Sequence, residues 1–354
     1  MKKLNLLILI LAAFCGPRLA NADSAGTTLF NFLSFDTNPR AIALGGAYTA
    51  LAADSGALSY NPAGLAMTKR PEASFMHNQY FQGITQEYLS YASAGGWGAD
   101  FNYLSFGGIS QTTLDNHTGA GLGDVGLWDM AFGLGLADEL DDGLLGGAGL
   151  KIVRESIAGN SVNGFMLDGG LLWNVPGADG LDLGLAVQNL GPDVKTQGGN
   201  EPLPMGVRAG AGYRTTLAGM KTLFSADVQQ NRGEDFGMRF GCELLFAGAV
   251  PLRLGYKTLT DDGAGISAGI GYSFGDMSFD YAFAPYKELG DTHRLAVTYR
   301  WGKAPGSAAK KPAPAPAAAD APKEPALAAA DKDRSAAPAA APVHKASHKK
   351  KLPV

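Results

Sequence analysis

The charged residues of this sequence fall on alternate positions rather than in clusters, and that decides what chemistry they can do. Lys151, Arg208, Arg214, Arg239, Arg253, Lys257, Arg294 and Arg300 share the polar face of alternating segments with Asp100, Asp129, Asp168, Asp182, Asp227, Glu243 and Asp280. Eight cations against seven carboxylates is near balance. An ion-selective pore would carry one dominant sign around its constriction, so the balance points to an ion-paired surface. Asp280, Arg294, Arg300, Arg239 and Glu243 stand as its candidate residues, none of them singled out as a catalytic group. The histidines offer no more. His77, His117 and His293 are scattered, with no Cys or acidic partner at ligand spacing. His344 and His348 lie in a Pro-broken stretch where a four-residue spacing creates no shared helical face. Gly119-Ala120-Gly121-Leu122-Gly123 lacks the strand–turn–helix context of a phosphate loop, and Asn116-His117-Thr118 is a sequon by chance. No catalytic constellation, metal site or cofactor site is read, and an enzyme is not expected.

Strands with a two-residue period must position these charges. From Thr292 to Trp301, Leu295, Val297, Tyr299 and Trp301 fall on one face and Arg294, Ala296, Thr298 and Arg300 on the other, as side chains alternate along a strand. Met277 to Phe283, Ala264 to Phe274, Phe236 to Phe246 and Leu181 to Val187 repeat the pattern. Candidates lie near 72–82, 84–94, 95–106, 125–137, 143–155, 161–175, 180–190, 203–214, 220–230, 235–247, 251–259, 263–274, 277–285 and 292–301. An even number of strands, many near the ~9–11 residues that cross a bilayer when tilted, fits an outer-membrane barrel. Long connections at Gly107–Asp124, Leu190–Pro202 and Pro285–Asp291 alternate with short turns such as Asp138–Asp142, Pro176–Gly180 and Gly275-Asp276. That is the asymmetry between outer loops and periplasmic turns. A soluble β-sandwich would also alternate, but its polar faces would meet water. Here those faces hold Gly, Ala and Ser, while the apolar faces hold Phe, Tyr, Trp and Leu, with strands ending on Trp173, Phe274 and Trp301. The expected fold is therefore all-β: a transmembrane antiparallel barrel of about fourteen strands over 71–302, with the charges above facing its lumen.

Composition supports this and adds two ends of other kinds. The chain has 354 residues, 49 of them Gly, with 18% charged and two Cys. Gly is about twice the usual ~7%, and the charged fraction is below the ~25% of soluble domains. No run reaches the ~20 apolar residues of a spanning helix, which excludes a helical membrane protein. Lys2-Lys3, the apolar run Leu4–Phe14 and Ala20-Asn21-Ala22 read as a signal peptide over 1–22, with the mature chain starting at Asp23. A lipoprotein cut before Cys15 is the rival, but Phe14 stands where a small residue is expected. Only Cys242 then remains, so no internal disulfide forms. Residues 303–354 hold 19 Ala and 9 Pro without an aromatic residue, and are expected to be disordered. The first 22 residues carry +3 and the last 52 carry +6, so the net of −4 leaves −13 for the body. Such a basic tail is either a solubilising linker or a periplasmic tether to an anionic surface or cell-wall polymer.

Between signal and barrel, residues 23–70 show no strand alternation yet are too apolar for a free tail. They contain Asn38-Pro39-Arg40-Ala41-Ile42-Ala43-Leu44-Gly45-Gly46-Ala47, then Asp54, then Asn61-Pro62-Ala63-Gly64-Leu65. The small residues allow a short helix to pack tightly on a wall, and Pro62 is placed to start a helical turn. A plug at the barrel mouth accounts for the segment. On Arg40 to Ala47 (R-A-x-x-L-G-G-A), Asp54 and Asn61–Leu65, the chain resembles the PorV/PorQ family of outer-membrane proteins. It is more distantly similar to FadL-type long-chain fatty-acid transporters. The resemblance implies a fourteen-stranded barrel with an N-terminal hatch, in which Arg40, Gly45, Gly46, Asp54, Asn61, Pro62, Ala63, Gly64 and Leu65 are the gating residues. In FadL-type proteins hydrophobic ligands pass through the lumen and out through the wall; PorV-type members serve protein secretion. The long Ala/Pro/Lys tail departs from the family pattern.

Two functions follow from different classes. One is passive transport of hydrophobic or amphipathic small molecules across the bacterial outer membrane, gated by the hatch. The other is a barrel that binds protein partners or cargo through its loops or its tail. A gap in the wall beside the hatch would favour the first, and a lumen sealed by ion pairs the second. Membrane lipid is the expected surrounding partner, and no nucleic-acid partner is expected.

Overall fold

Side-chain alternation governs the architecture seen in the computed structural model, which describes residues 28–302 apart from residue 197 and residues 259–263. The expected signal peptide, the start of the hatch and the tail lie outside the described residues. Fourteen strands follow in chain order: β1 Glu72–Gln79, β2 Thr85–Ala92, β3 Trp97–Ser105, β4 Leu127–Asp141, β5 Leu144–Ile157, β6 Asn160–Asn174 and β7 Leu181–Leu190. Then come β8 Gly206–Leu217, β9 Met220–Asn231, β10 Gly237–Phe246, β11 Val250–Lys257, β12 Ile266–Phe274, β13 Met277–Tyr286 and β14 Gly290–Arg300. Each pairs antiparallel with its chain neighbours, and β1 pairs with β14, so the sheet is a closed barrel. Each strand overlaps its expected segment.

The two faces separate as the alternation requires. On β14, Leu295, Val297 and Tyr299 are exposed, whereas Thr292, Arg294, Ala296 and Thr298 are buried. Phe236, Met238, Phe240 and Phe246 on and beside β10 are likewise exposed, while Gly241 between them is buried. Large apolar side chains that point away from the enclosed space of a closed sheet form a band suited to lipid. Aromatic residues gather at both rims. At the short-turn end Tyr91 lies 4.9 Å from Trp97 and 5.9 Å from Trp301, and Tyr299 lies 5.8 Å from Trp301 between ring centroids. Tyr103 and Trp128 pair at the opposite end. Trp173 departs from expectation. It is only 9% exposed, covered in a strand flanked by Leu144 and Leu183, and so stands outside the exposed band.

The two longest connections fall on one side, although residues 158–159 make a tight turn on that same side. Residues 106–126 and 191–205 are long and each contains a two-residue hairpin: Ile109–Ser110 with Asp124–Val125, and Val194–Lys195 with Asn200–Glu201. Residues 142–143, 218–219 and 275–276 are tight turns. The long connection expected at Pro285–Asp291 is absent, because Pro285 pairs with Asp291 and Tyr286 with Gly290 across the ladder. Only Lys287–Leu289 is left to turn the chain, helped by Gly290 at a φ of 107°. Two irregularities interrupt the register, one between Glu139 and Asp141 in β4 and one between Leu167 and Gly169 in β6.

Placing a charge on the outer face tests its surroundings. Leu295→Arg, near the middle of β14, is expected to destabilise the barrel by about 2–4 kcal/mol, the cost of a cation at bilayer depth. Urea titration of the protein refolded into lipid vesicles measures this. A loss below about 1 kcal/mol, the value near a membrane interface, would show that this face does not meet the hydrocarbon core.

Candidate functional site

Two Asn-Pro pairs start the turns that shape the segment before β1. Helix α1, Pro39–Ala43, is capped by Asn38, whose side chain accepts from the Arg40 N–H at 2.9 Å, with Pro39 at the first position. The turn Pro62–Met67 repeats the device: the Asn61 side chain accepts from the Ala63 N–H at 3.2 Å. Asp54 caps Ser55–Ser59 through the Gly56 N–H at 3.0 Å. Gly45 and Gly46 end α1. Gly45 has a φ of 68°, and the Gly46 and Gly45 N–H groups donate to the carbonyls of Ala41 and Ile42 at 2.8 and 2.9 Å. That is a Schellman closure, which needs the left-handed conformation that glycine supplies.

A belt of glycines on the wall receives this segment. A Cβ on Gly98 or Gly135 would meet Leu65, on Gly147 the backbone at Pro62 and Ala63, and on Gly170 the Asn61 side chain. Farther round, a Cβ on Gly184 would overlap the backbone at Thr49, and one on Gly241, Gly255 or Gly269 would meet Leu44, Gly45 or Ala43. The stretch from Ala43 to Leu65 thus touches strands around much of the ring at positions that carry no side chain. At Gly255 the approach is backbone to backbone, with Gly45 and Leu44 against β11. The Gly, Ala and Ser that distinguish the inward face in the sequence act here as room for the segment. Within the segment, Gly64 serves the same end, since a Cβ there would overlap the Ala52 carbonyl.

Polar ties fix the segment in this groove. Asn61 is fully buried; its amide donates to the Thr49 carbonyl and to the Leu171 carbonyl of β6, both at 3.0 Å. Its two donors and its acceptor are therefore all used. Asp227 of β9 accepts from the Tyr48 N–H, the Thr49 N–H and the Thr49 hydroxyl at 2.9, 2.8 and 2.6 Å. Arg40 makes a bidentate pair with Glu243, both bonds at 2.9 Å, and Glu243 continues to Arg253 at 2.6 Å and Arg253 to Asp280 at 2.5 Å. Asp54 accepts from the Tyr48 hydroxyl and, at 3.1 Å, from the Asn38 amide. The Tyr60 hydroxyl accepts from the Thr37 and Asn38 N–H groups at 3.1 and 3.2 Å. Burial, followed by the Asp54 carboxylate, pushes the Tyr48 phenol well above its ordinary range; burial and Asp36 do the same to Tyr60. Both are neutral hydrogen-bonding groups at physiological pH.

The two sides of the segment differ. Towards the short turns a cavity of about 560 Å³ is bordered by Arg40 and Asp54 of the segment and by Glu72, Glu243, Asp280 and Arg300 of the wall. Arg300 bonds Glu72 at 2.7 Å, and Glu72 also accepts from the Ser55 N–H at 2.5 Å. Towards the long connections, Phe30 and Phe32 are buried against Leu104, Ala131, Val153, Met166 and Leu203. Beside this apolar cluster, Asp36 lies among Arg208, Arg239, Lys257 and Arg294. Burial drives its carboxyl upward, but those four cations outweigh that and hold it below its ordinary value.

The candidate residues thus divide. The nine segment residues, Arg40 to Leu65, gather in one body against the wall. Glu243 and Asp280 join Arg40 through Arg253, and Arg300 borders the same cavity, whereas Arg239 and Arg294 belong to the cationic group on the opposite side. Lys151 pairs with Asp168 at 2.7 Å, and Arg214 pairs with Asp182. Sequence reasoning gave no role to Asp36, Tyr48, Tyr60 or Glu72, nor to the wall glycines. A glycine on the inward register of strand after strand was the available signal for the last. His77 does have an acidic partner, contrary to expectation: Glu87 lies 2.7 Å away across β1 and β2, ten residues on, a distance that ligand spacing does not anticipate. Among the described residues no group of three or more His, Cys, Asp or Glu is arranged to hold a metal.

Residues 15–161 match the model of an uncharacterised protein family, UPF0164. The matched stretch contains Arg40–Ala47, Asp54 and Asn61–Leu65, the residues that carry the resemblance to PorV/PorQ-type proteins, and the match agrees with that resemblance. No curated protein matches the chain. In fold the chain is similar to the toluene transporter TodX of Pseudomonas putida, at 14% identity and a TM-score of 0.53, over 76% of this chain and 99% of that one. A second crystal structure of TodX gives 13% identity and a TM-score of 0.50, over 75% and 97%. A FadL homologue from Pseudomonas aeruginosa aligns at 13% identity over 75% and 98%, with a TM-score of 0.47. At such identities the likeness to TodX speaks for the fold alone.

Two outcomes are expected. Gly255→Leu should force the segment off β11 while the strands still close. Overpacking costs about 1–3 kcal/mol, so tryptic cleavage after Arg40 should accelerate on the order of tenfold or more, with heat-modifiable migration on gels retained. The Asp36 contribution should follow the sign of its shift. A depressed carboxyl stabilises above its ordinary value of 3.8 and loses that effect as pH falls through the lower folded value. Cleavage of the segment by pepsin, which is active in acid, should therefore rise as pH falls below about 4, and Asp36→Asn should remove that part of the pH dependence.

Proposed function

We propose that this chain is an outer-membrane barrel that passes hydrophobic or amphipathic small molecules, with the segment before β1 as its hatch. The observation that carries this reading is the apolar cluster on the long-connection side. Porin lumens are polar and water-filled; here Phe30 and Phe32 rest on Leu104, Ala131, Val153, Met166 and Leu203 within the ring. Such a surface has a use if an apolar molecule takes the place of the two phenylalanines when the segment moves. TodX, similar in fold, is a toluene transporter. In this arrangement the long connections face outward and the short turns face the periplasm, as does the basic tail, which serves as a tether to an anionic cell-wall polymer.

The hatch works through replaceable ties. Asn61 joins the two halves of the segment and binds both to β6, while Arg40 anchors the lower edge through Glu243. Passage requires these bonds to open together, since every neighbouring pair of strands is joined by a ladder. That continuity also favours a second reading: a barrel sealed by its segment that engages protein partners through residues 106–126 and 191–205.

Asn61→Ala and Gly64→Ala separate the readings. Loss of the Asn61 bonds, each worth about 0.5–1.5 kcal/mol, and overlap of a Gly64 Cβ with Ala52 should both alter hexadecanoate or toluene uptake into proteoliposomes. Heat-modifiable migration should stay intact. Uptake by neither the parent nor the variants, together with a stoichiometric protein partner after gentle extraction, would replace transport with the binding role.

A further inference from the structure

Four cationic side chains converge on the long-connection side of the segment, each from a different strand. Arg208 is the third residue of β8, Arg239 the third of β10, Lys257 the last of β11 and Arg294 the fifth of β14. Two carboxylates face them, Asp36 and Asp227. Asp227 spends one oxygen on Tyr48 and Thr49, and Asp36 comes no nearer than 3.8 Å to Arg239. The group therefore carries an excess of two positive charges.

Its hydrogen-bonding capacity is also unspent. Arg208 is 5% exposed and Arg294 2% exposed. Among the described residues no hydrogen-bond partner meets Nε or Nη1 of Arg208, Nη1 of Arg239 or Nε of Arg294, and none meets Oδ1 of Asp36 or of Asp227. Arg294 does donate from Nη1 to the Thr292 hydroxyl at 2.6 Å. Three of the cations lie over tyrosine rings: Arg208 over Tyr60 at 5.4 Å, Arg294 over Tyr80 at 4.9 Å and Lys257 over Tyr286 at 5.5 Å. Ring faces attract a cation but do not neutralise it. A buried guanidinium with free N–H groups is costly unless an anion satisfies it.

We propose that this group is a binding site for a small divalent oxyanion of the phosphate or sulfate class. A dianion matches the excess charge, and its tetrahedral oxygens can take forked guanidinium donors together with the Lys257 ammonium. Two of the four cations, Lys257 and Arg294, border with Asp36 a space of about 30 Å³, which holds no hydrocarbon chain; Arg208 and Arg239 lie beyond its lining and face Asp36 from the other strands. The site is separate from the Phe30 cluster and from the 560 Å³ cavity, and it stands whether or not the segment moves. A phosphomonoester headgroup has the same chemistry as free phosphate, so both belong in the test.

The full chain, refolded in detergent at pH 7.5, is titrated with sodium phosphate and followed by ³¹P NMR and calorimetry. One saturable site is expected. Lys257→Gln and Arg208→Gln should each weaken it about tenfold or more, the scale of a lost charged hydrogen bond; Arg154→Gln, an exposed cation elsewhere, should leave it unchanged. Heat-modifiable migration checks closure, and if Arg208→Gln fails to close, the partly exposed Lys257 carries the comparison. Binding of dihexanoyl phosphatidate but not phosphate, lost in the same variants, keeps the site and assigns it to a headgroup. Absence of saturable binding to either, equal affinity in Lys257→Gln, or equal competition by chloride overturns the proposal.

Discussion

Antiparallel pairing from Glu72 opposite Arg300 to Gln79 opposite His293 joins β1 to β14 and leaves the sheet without an edge. In hydrocarbon an unpaired backbone N–H or carbonyl costs several kcal/mol, so a sheet in that setting must close on itself. Closure has a second effect. Once fourteen strands form a ring, the side chains of one face turn into an enclosed space, and side chains on the wall alone do not occupy it. Here the segment preceding β1 packs against that face, and the rest of the interior chemistry follows from its fit.

The fit depends on atoms that are missing. Wall glycines let backbone approach backbone at Gly255 and Gly147, while within the segment Gly64 lets two turns close on each other. Charged groups then fasten what the glycines admit. Arg40, Glu243, Arg253 and Asp280 form a chain from segment to wall, and Asp227 holds two successive N–H groups. The ties from segment to wall, Arg40 to Glu243 and Asp227 to Tyr48 and Thr49, join residues far apart in the chain, so they exist only once the distant strands are in place.

How much of this was legible in the sequence follows from the range of the interactions. The strands were, because alternation is a local property: Leu295, Val297 and Tyr299 declare their face without reference to any other strand. The helical turn at Pro62 was too, since a proline start acts within one turn, whereas the Asn38, Asp54 and Asn61 caps were not read. Pairing between distant charges was not. A count of eight cations and seven carboxylates suggested general neutrality, yet Glu243 and Asp280 flank Arg253 on one side of the segment while Arg208, Arg239, Lys257 and Arg294 collect on the other. Balance over a whole wall conceals segregation along its axis. The turn at Lys287–Leu289 was misjudged for a similar reason, because Pro285 reads as a strand terminator although its ladder partner, Asp291, makes the pairing possible.

The position of the segment along the chain has a consequence for assembly. It leads directly into β1, and Pro71 accepts a hydrogen bond from Trp301, just beyond β14, at 3.0 Å. The strand that completes the wall is thus the last one made, and it docks beside the point where the segment leaves the ring. Contacts of such long sequence separation form late, because loop-closure entropy must be overcome first. The seam therefore joins the first and last strands of the ring beside the point where the segment enters β1.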